Sequence, residues 1–419
     1  MKKIIVILLL FSHSALSLPG DGKLVATPYI KGTIYNQMGA YQEAVSVFKE
    51  VLNAEPNNDK AYYQMGVSYL ALRQQDKAIN AFEKSIEINP KNPNPYLYIS
   101  VIYLEKKQYK KTLKLYQRAN KIIPNNRDFY YNIGVIQETL GKNTKAVEAY
   151  KKSIEIKPKF DSYYRIGIVY SKLKQYQKSL DAYQKATNIN NLIAEVYFRI
   201  GRTYEIMAQY QKAIDSYQIA VSLDQKNPIT YEEIGFNNMA LGQYQEAIEA
   251  YQKVIKIKPN DYMSYYNIAN SYYELHYNKD NAYGTKSYNN LYESIKKAYK
   301  QAIKIKPSFE IAYINLFELS LVQNQAFEQD LLVKFQHNFA NNRQAMMEFD
   351  MLSTLKKIDT TKQLLNEKQK QNFKAKYKGM HFNNWSWREI EQWINTKTSS
   401  KATLESALTF FKTFNKSNN

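Results

Sequence analysis

Outside its first residues the chain carries three histidines, His276, His337 and His381, far apart and with no H-E-x-x-H or comparable metal-ligand spacing. Cysteine is absent, which removes disulfides, thiolate metal sites, a cysteine nucleophile and a lipid on an N-terminal cysteine. There is no G-x-x-x-x-G-K-[ST] phosphate loop, no G-x-S-x-G nucleophile elbow and no G-x-G-x-x-G following a strand. Carboxylate pairs such as Glu232 with Glu233 occur as they do on any exposed helix. No catalytic residue, cofactor or metal is therefore expected, and the chain is read as something other than an enzyme. What remains is noncovalent chemistry. Guanidinium forks grip carboxylates bidentately, and aromatic rings supply large contact area at small entropic cost.

Those groups sit in a strongly periodic chain. With 419 residues, 44% of them hydrophobic, there is ample material for a buried core, and a net charge of +20 favours acidic proteins, anionic lipids or polyanions as neighbours. Gly32, Gly66, Gly134, Gly167, Gly201 and Gly235 recur at multiples of 34 with one slip of a single residue, and Pro56, Pro90, Pro124 and Pro158 keep the same step. Such a period marks stacked supersecondary units, none of which buries its apolar face alone. Small residues at the glycine positions, and at Ala44, Ala78, Ala146, Ala213 and Ala247, let two helices approach closely. Rings at 48, 82, 116, 150, 183, 217 and 251 follow at the i+4 spacing of one helix face and are expected to fill the space between neighbouring repeats. Proline ends the second helix because it lacks an N–H and clashes with the preceding turn.

Tyr62, Met65, Gly66 and Tyr69, then Ala78 and Phe82, then Pro90 state the pattern most fully. This resembles the tetratricopeptide-repeat (TPR) pattern W-x2-L-G-x2-Y, A-x3-F, P, with tyrosine for tryptophan. The resemblance implies an all-α fold, a TPR superhelical solenoid of eight to nine helix-turn-helix repeats with a C-terminal helical cap. The repeats fall at 25–58, 59–92, 93–126, 127–159, 160–193, 194–227, 228–261 and 262–309, with a weaker ninth from 310. The eighth carries an inserted segment, 276–290, read as a solvated loop or a contact arm between helices spanning Tyr265 to Leu275 and Leu291 to Lys306. In the ninth, Phe317 stands where other repeats have Gly, Ser or Ala, so close helix pairing is not expected there. Helical spacing continues through Leu331, Phe335 and Phe339 and through Met346, Met347, Leu352 and Leu355, and residues 310–419 read as a degenerate repeat and cap.

In the TPR family the inner wall is lined by the first helix of each repeat, here called helix A. Its fifth position gives Tyr29, Tyr63, Leu97, Tyr131, Tyr164, Phe198, Glu232 and Tyr266, a ladder that either stands partly exposed in the groove or packs on the neighbouring helix A. The sixth adds Asn132, Arg165, Arg199 and Asn267, and the ninth adds Arg202 and Phe236. A groove of these residues suits a protein or peptide partner carrying acidic groups, although Glu205, Glu232 and Glu233 make the surface mixed. Neither the lysine–asparagine carboxylate clamp nor a full asparagine ladder is present, the latter being limited to Asn132, Asn267 and Asn315.

The ends carry further signals. Lys2 and Lys3, the apolar run Ile4 to Phe11 and the small-x-small site Ala15-Leu16-Ser17 read as a signal peptide over 1–17, placing the product in the periplasm or outside the cell. Residues 356–378 hold eight lysines against Asp359 and Glu367, a solvated basic helix or a contact for an anionic membrane or envelope surface. Nucleic acid is not an expected partner. Trp385, Trp387 and Trp393 lie before and within a helix opened by a Ser386–Glu389 capping box, and read as the core of a closing helical hairpin or as an aromatic binding platform. The expected role is an exported scaffold holding a protein or peptide in cell-envelope assembly or maintenance. The alternative is a secreted factor acting on a host protein or an anionic polymer.

Overall fold

The computed structural model describes residues 27–278, 286–322, 326–346, 349–350 and 352–353. The signal segment 1–17, the lysine-rich stretch 356–378 and the tryptophan group lie outside the described residues. The chain divides into two compact halves, Met1–Asn191 and Leu192–Asn419. No composition shift marks that boundary, since the repeat step runs across it.

In the first half the helices are α1 (Pro28–Gln37), α2 (Tyr41–Ala54), α3 (Asp59–Ala71), α4 (Gln75–Ile88), α5 (Asn94–Glu105), α6 (Tyr109–Ile122), α7 (Arg127–Thr139), α8 (Asn143–Ile156), α9 (Phe160–Lys172) and α10 (Tyr176–Ile189). The second half holds α11 (Ala194–Ile206), α12 (Tyr210–Leu223), α13 (Pro228–Ala240), α14 (Tyr244–Ile257), α15 (Tyr262–Asn278), α16 (Lys286–Ile305), α17 (Glu310–Val322) and α18 (Gln329–Phe339). Within each half every helix packs on the next, so the described fold is all-α and built from consecutive helix pairs. Odd-numbered helices are the A helices, even-numbered the B helices.

Local chemistry explains the boundaries. Asn58, Asn126 and Asn227 cap α3, α7 and α13 by accepting hydrogen bonds from backbone N–H groups of the first turn. Pro56, Pro90, Pro124 and Pro158 each follow directly on the C-cap of a helix B and stop it. The A-to-B turn repeats as well. Gly39, Arg73, Lys107, Gly141, Lys174, Ala208 and Gly242 occupy one register position, all with φ between 53° and 78°. The next N–H reaches back five residues, as from Gln74 to the Tyr69 carbonyl at 2.8 Å and from Gln175 to Tyr170 at 2.9 Å. This is the Schellman closure, which satisfies carbonyls at the end of helix A and turns the chain into helix B.

Each repeat closes on a ring. A Cβ placed on Gly32, Gly66, Gly134, Gly167, Gly201 or Gly235 would lie 2.6–2.7 Å from Phe48, Phe82, Tyr150, Tyr183, Tyr217 or Tyr251, the ring sixteen or so residues on. The rings expected between neighbouring repeats thus press first on the glycine of their own repeat, and Phe82 also stacks on Tyr98 of the next at 5.2 Å. Where Ser100 replaces glycine, the Tyr116 hydroxyl donates to its Oγ at 2.5 Å.

One expectation is corrected and another is met. The segment 276–290 is not a loop throughout, because α15 continues to Asn278 and α16 already begins at Lys286. In the ninth repeat α17 and α18 approach far less closely than the helix pairs before them, as Phe317 leads one to expect. The Phe317 ring is 1% exposed and lies 5.5 Å from Phe335, 5.1 Å from Phe327 and 5.2 Å from Phe349, so an aromatic cluster fills the wider space between α17 and α18.

Candidate protein-binding faces

The aromatic ladder leans inward. Centroid distances are 6.0 Å for Tyr29–Phe48, 6.0 Å for Tyr63–Phe82, 5.8 Å for Tyr131–Tyr150, 6.1 Å for Tyr164–Tyr183, 5.5 Å for Phe198–Tyr217 and 5.9 Å for Tyr266–Tyr299. Each ladder ring therefore lies on the buried helix-B ring of its own repeat and stays half-buried. Tyr63 also meets Tyr98 in the next helix A, edge-on at 5.7 Å.

Position six has a structural task that spacing alone does not reveal. Asn132 is buried, and its Nδ2 donates to the Tyr116 hydroxyl at 3.0 Å. Asn315 does the same for Tyr299 at 3.2 Å, and Asn267 hydrogen-bonds Tyr251. In each case the side chain caps the phenol of the preceding repeat. Asn132, expected in a binding groove, is instead part of the packing between repeats.

In the first half Arg165 lies against Glu138 on α7, whose side chain is 9% exposed. Its carboxylate accepts from the Tyr150 hydroxyl at 3.0 Å and pairs with Lys172 at 2.7 Å and Arg165 at 3.7 Å. Burial, with the Glu138 charge second, pushes the Tyr150 phenol well above its ordinary value. Arg165 joins α9 to α7 here and also hydrogen-bonds Tyr131. Tyr131 itself carries the Arg127 guanidinium 4.8 Å over its ring, and Tyr164 stacks on Phe160 at 5.7 Å.

The second half repeats the motif with another carboxylate. Glu205 Oε2 accepts from the Tyr217 hydroxyl at 3.0 Å and from Asn237 at 2.9 Å, while Arg202 Nη1 lies 3.0 Å from both Glu205 and Glu233. This network ties α11 to α13. Burial first, and the Glu205 charge next, hold the Glu233 carboxyl above the usual carboxylate range. Arg199 pairs with Glu195 at 2.7 Å. The arginines expected to meet a ligand's carboxylates are thus engaged by the chain's own, and with Glu232 and Glu233 beside them this face is not a basic one.

What stands free is apolar. Phe236 is 54% exposed, and Ile229 on α13 and Met263 on α15, which sequence reasoning did not single out, are 49% and 39% exposed. Ile229 and Phe236 lie seven residues apart on one face of α13. The signal was present in the sequence, as apolar types at second positions that are polar in the five repeats before, from Lys60 to Glu195. Tyr266 is held between Tyr299 and Phe309. Among the described residues no group of three or more His, Cys, Asp or Glu is gathered as for a metal ion, and no helix is long and apolar enough to cross a membrane.

Glycine under a buried ring, a Schellman turn and a stopping proline recur through the helix pairs, and the family models agree. Models described as TPR repeat match residues 32–73 and 238–275, and models described as Tetratricopeptide repeat match 59–92, 81–114, 128–160, 160–190 and 194–227, together more than half of the chain. The chain belongs to the tetratricopeptide-repeat family. No curated protein matches this TPR chain. Among solved structures, the C-terminal part of a TPR repeat-containing protein from Cytophaga hutchinsonii is 16% identical, with a TM-score of 0.50 over 60% of this chain and 98% of that one, a likeness of fold alone. MamA from Desulfovibrio magneticus is 26% identical with a TM-score of 0.37, over 40% of this chain and 94% of that one. YrrB, a TPR protein with an unusual peptide-binding site, is 20% identical with a TM-score of 0.39, over 47% of this chain and 95% of that one.

Proposed function

We propose that this TPR protein is an exported scaffold that holds an extended segment of a partner protein against the helix-A face of its second half, in assembly or maintenance of the cell envelope. The exposed apolar set Ile229, Phe236 and Met263 carries the reading, because it lies beside the charged network of Arg202, Glu205 and Glu233. Apolar anchors rimmed by polar groups are the composition of a protein-binding surface. The neutralised arginines make this face suited to a mixed apolar and polar segment rather than to an acidic one. Export is supported by the basic, apolar and small-residue succession of residues 2–17, and the lysines of 356–378 suit an anionic envelope surface.

The double variant I229S/F236S should lose the partner recovered with the tagged wild-type protein from envelope fractions, with helical signal and melting temperature preserved. Exposed substitutions of this kind change stability by only about 0.5 kcal/mol. Undiminished recovery would move the binding face elsewhere, and accumulation of the protein in culture medium would contradict the envelope role.

A further inference from the structure

On the helix-B side of the first half, α6 and α8 flank a groove of about 850 Å³ floored by α7. Lys114, Arg118 and Lys121 line it from α6, Lys145 and Lys152 from α8, against the single carboxylate of Glu148. The reason is local: α6 reads YKKTLKLYQRANKI, with five basic residues and no acidic one. Arg118 is paired with Glu83, and Lys152 lies over the Tyr130 ring. Lys114, Lys121 and Lys145 form no ion pair among the described residues and are exposed. Tyr130, Ile133 and Ala149 give the floor an apolar strip. Two polar atoms of this lining, Asn120 Oδ1 and Gln137 Oε1, are buried and have no hydrogen-bond partner among the described residues.

Orphaned acceptors seek donors, whereas the lysines above them seek anions. A polyphosphate or a phospholipid headgroup supplies charge but few donors. A helix has already used its backbone N–H groups internally. An extended peptide rich in Asp and Glu offers both, carboxylates to the rim and free N–H groups to the floor. We infer that the groove between α6 and α8 binds an extended acidic segment of a partner protein, on a surface separate from the helix-A face of the second half. The chain's own excess of 58 Lys and Arg over 38 Asp and Glu makes another protein the fitting source.

The test is fluorescence anisotropy of the full chain with a short labelled peptide alternating glutamate and leucine. Saturable binding is expected, weakened by added salt and at least roughly tenfold by K114E/K121E/K145E, whose exposed positions leave folding intact. K114Q/K121Q/K145Q should fall between, and I229S/F236S should bind as wild type. Backbone N-methylation of alternate residues, which keeps every charge but removes donors, should also abolish binding. Indifference to the lysine reversals would overturn the inference. So would loss of binding in I229S/F236S, which places the peptide on the other face. Equal binding of the N-methylated peptide, or of long-chain polyphosphate competing at the same lysines, would overturn it too, as a site for charge alone.

Discussion

A side chain added at Gly201 would place its Cβ 2.6 Å from Cε1 of Tyr217, a ring that is fully buried and whose hydroxyl is held by Glu205. The ring cannot swing aside without breaking that bond. Gly201→Leu should therefore cost about 1 to 3 kcal/mol in urea denaturation through overpacking. Gly201→Ser should cost less, because the third repeat already accepts Ser100 at this register by bonding its Tyr116. Equal stability of the leucine variant would refute the alignment of the repeats. At this scale the packing glycines were legible in the sequence, being the same residue at the same step. The position-six side chains were not. Asn132 and Arg165 have the chemistry of ligand contacts, and only the structure shows that a tyrosine hydroxyl or a buried carboxylate of the preceding repeat already occupies them.

Between elements, the A-to-B turn asks for a left-handed residue in seven repeats and has glycine in only three of them. Lys174, at φ 58°, bears the steric cost that Gly141 and Gly242 avoid. That cost is about 1 to 2 kcal/mol, of which a glycine's extra unfolded freedom offsets about 0.5 to 1. Lys174→Gly should thus raise stability by about 0.5 to 1 kcal/mol, seen as a higher denaturation midpoint at unchanged slope. A lower midpoint would show that the turn is not strained. Non-glycine residues hid this turn from sequence reading, because arginine, lysine and alanine there look like ordinary helix surface. The extension of α15 and α16 into 276–290 escaped for a related reason: Asn, Lys and Tyr suit a loop by composition, yet helices already packed on each other carry them along.

Across the whole molecule, stability rests on buried phenols. Burial, partly offset by the hydrogen bonds the phenol shares with Ser100 and Asn132, raises the Tyr116 pKa from 10.0 to about 12, and Tyr150, Tyr217, Tyr251 and Tyr299 are raised by burial as well. The sign follows from linkage. Unfolded tyrosines release protons near pH 10 while the folded ones keep them, so this contribution is complete below pH 10 and is lost as pH rises toward 12. Helical signal and phenolate absorbance should change together over that window, and titration of these phenols near pH 10 with helices intact would contradict it. The repeat architecture was readable from recurring Gly, Ala and Pro, whereas the binding faces were not, since they depend on which charges the fold pairs internally. The most direct test of the central claim is in-cell photocrosslinking with a photoreactive residue at exposed Phe236 on α13, compared with exposed Lys253 on α14. The account predicts an adduct with one segment of another protein at 236 and none at 253; equal crosslinking at both, or none at either, would contradict it.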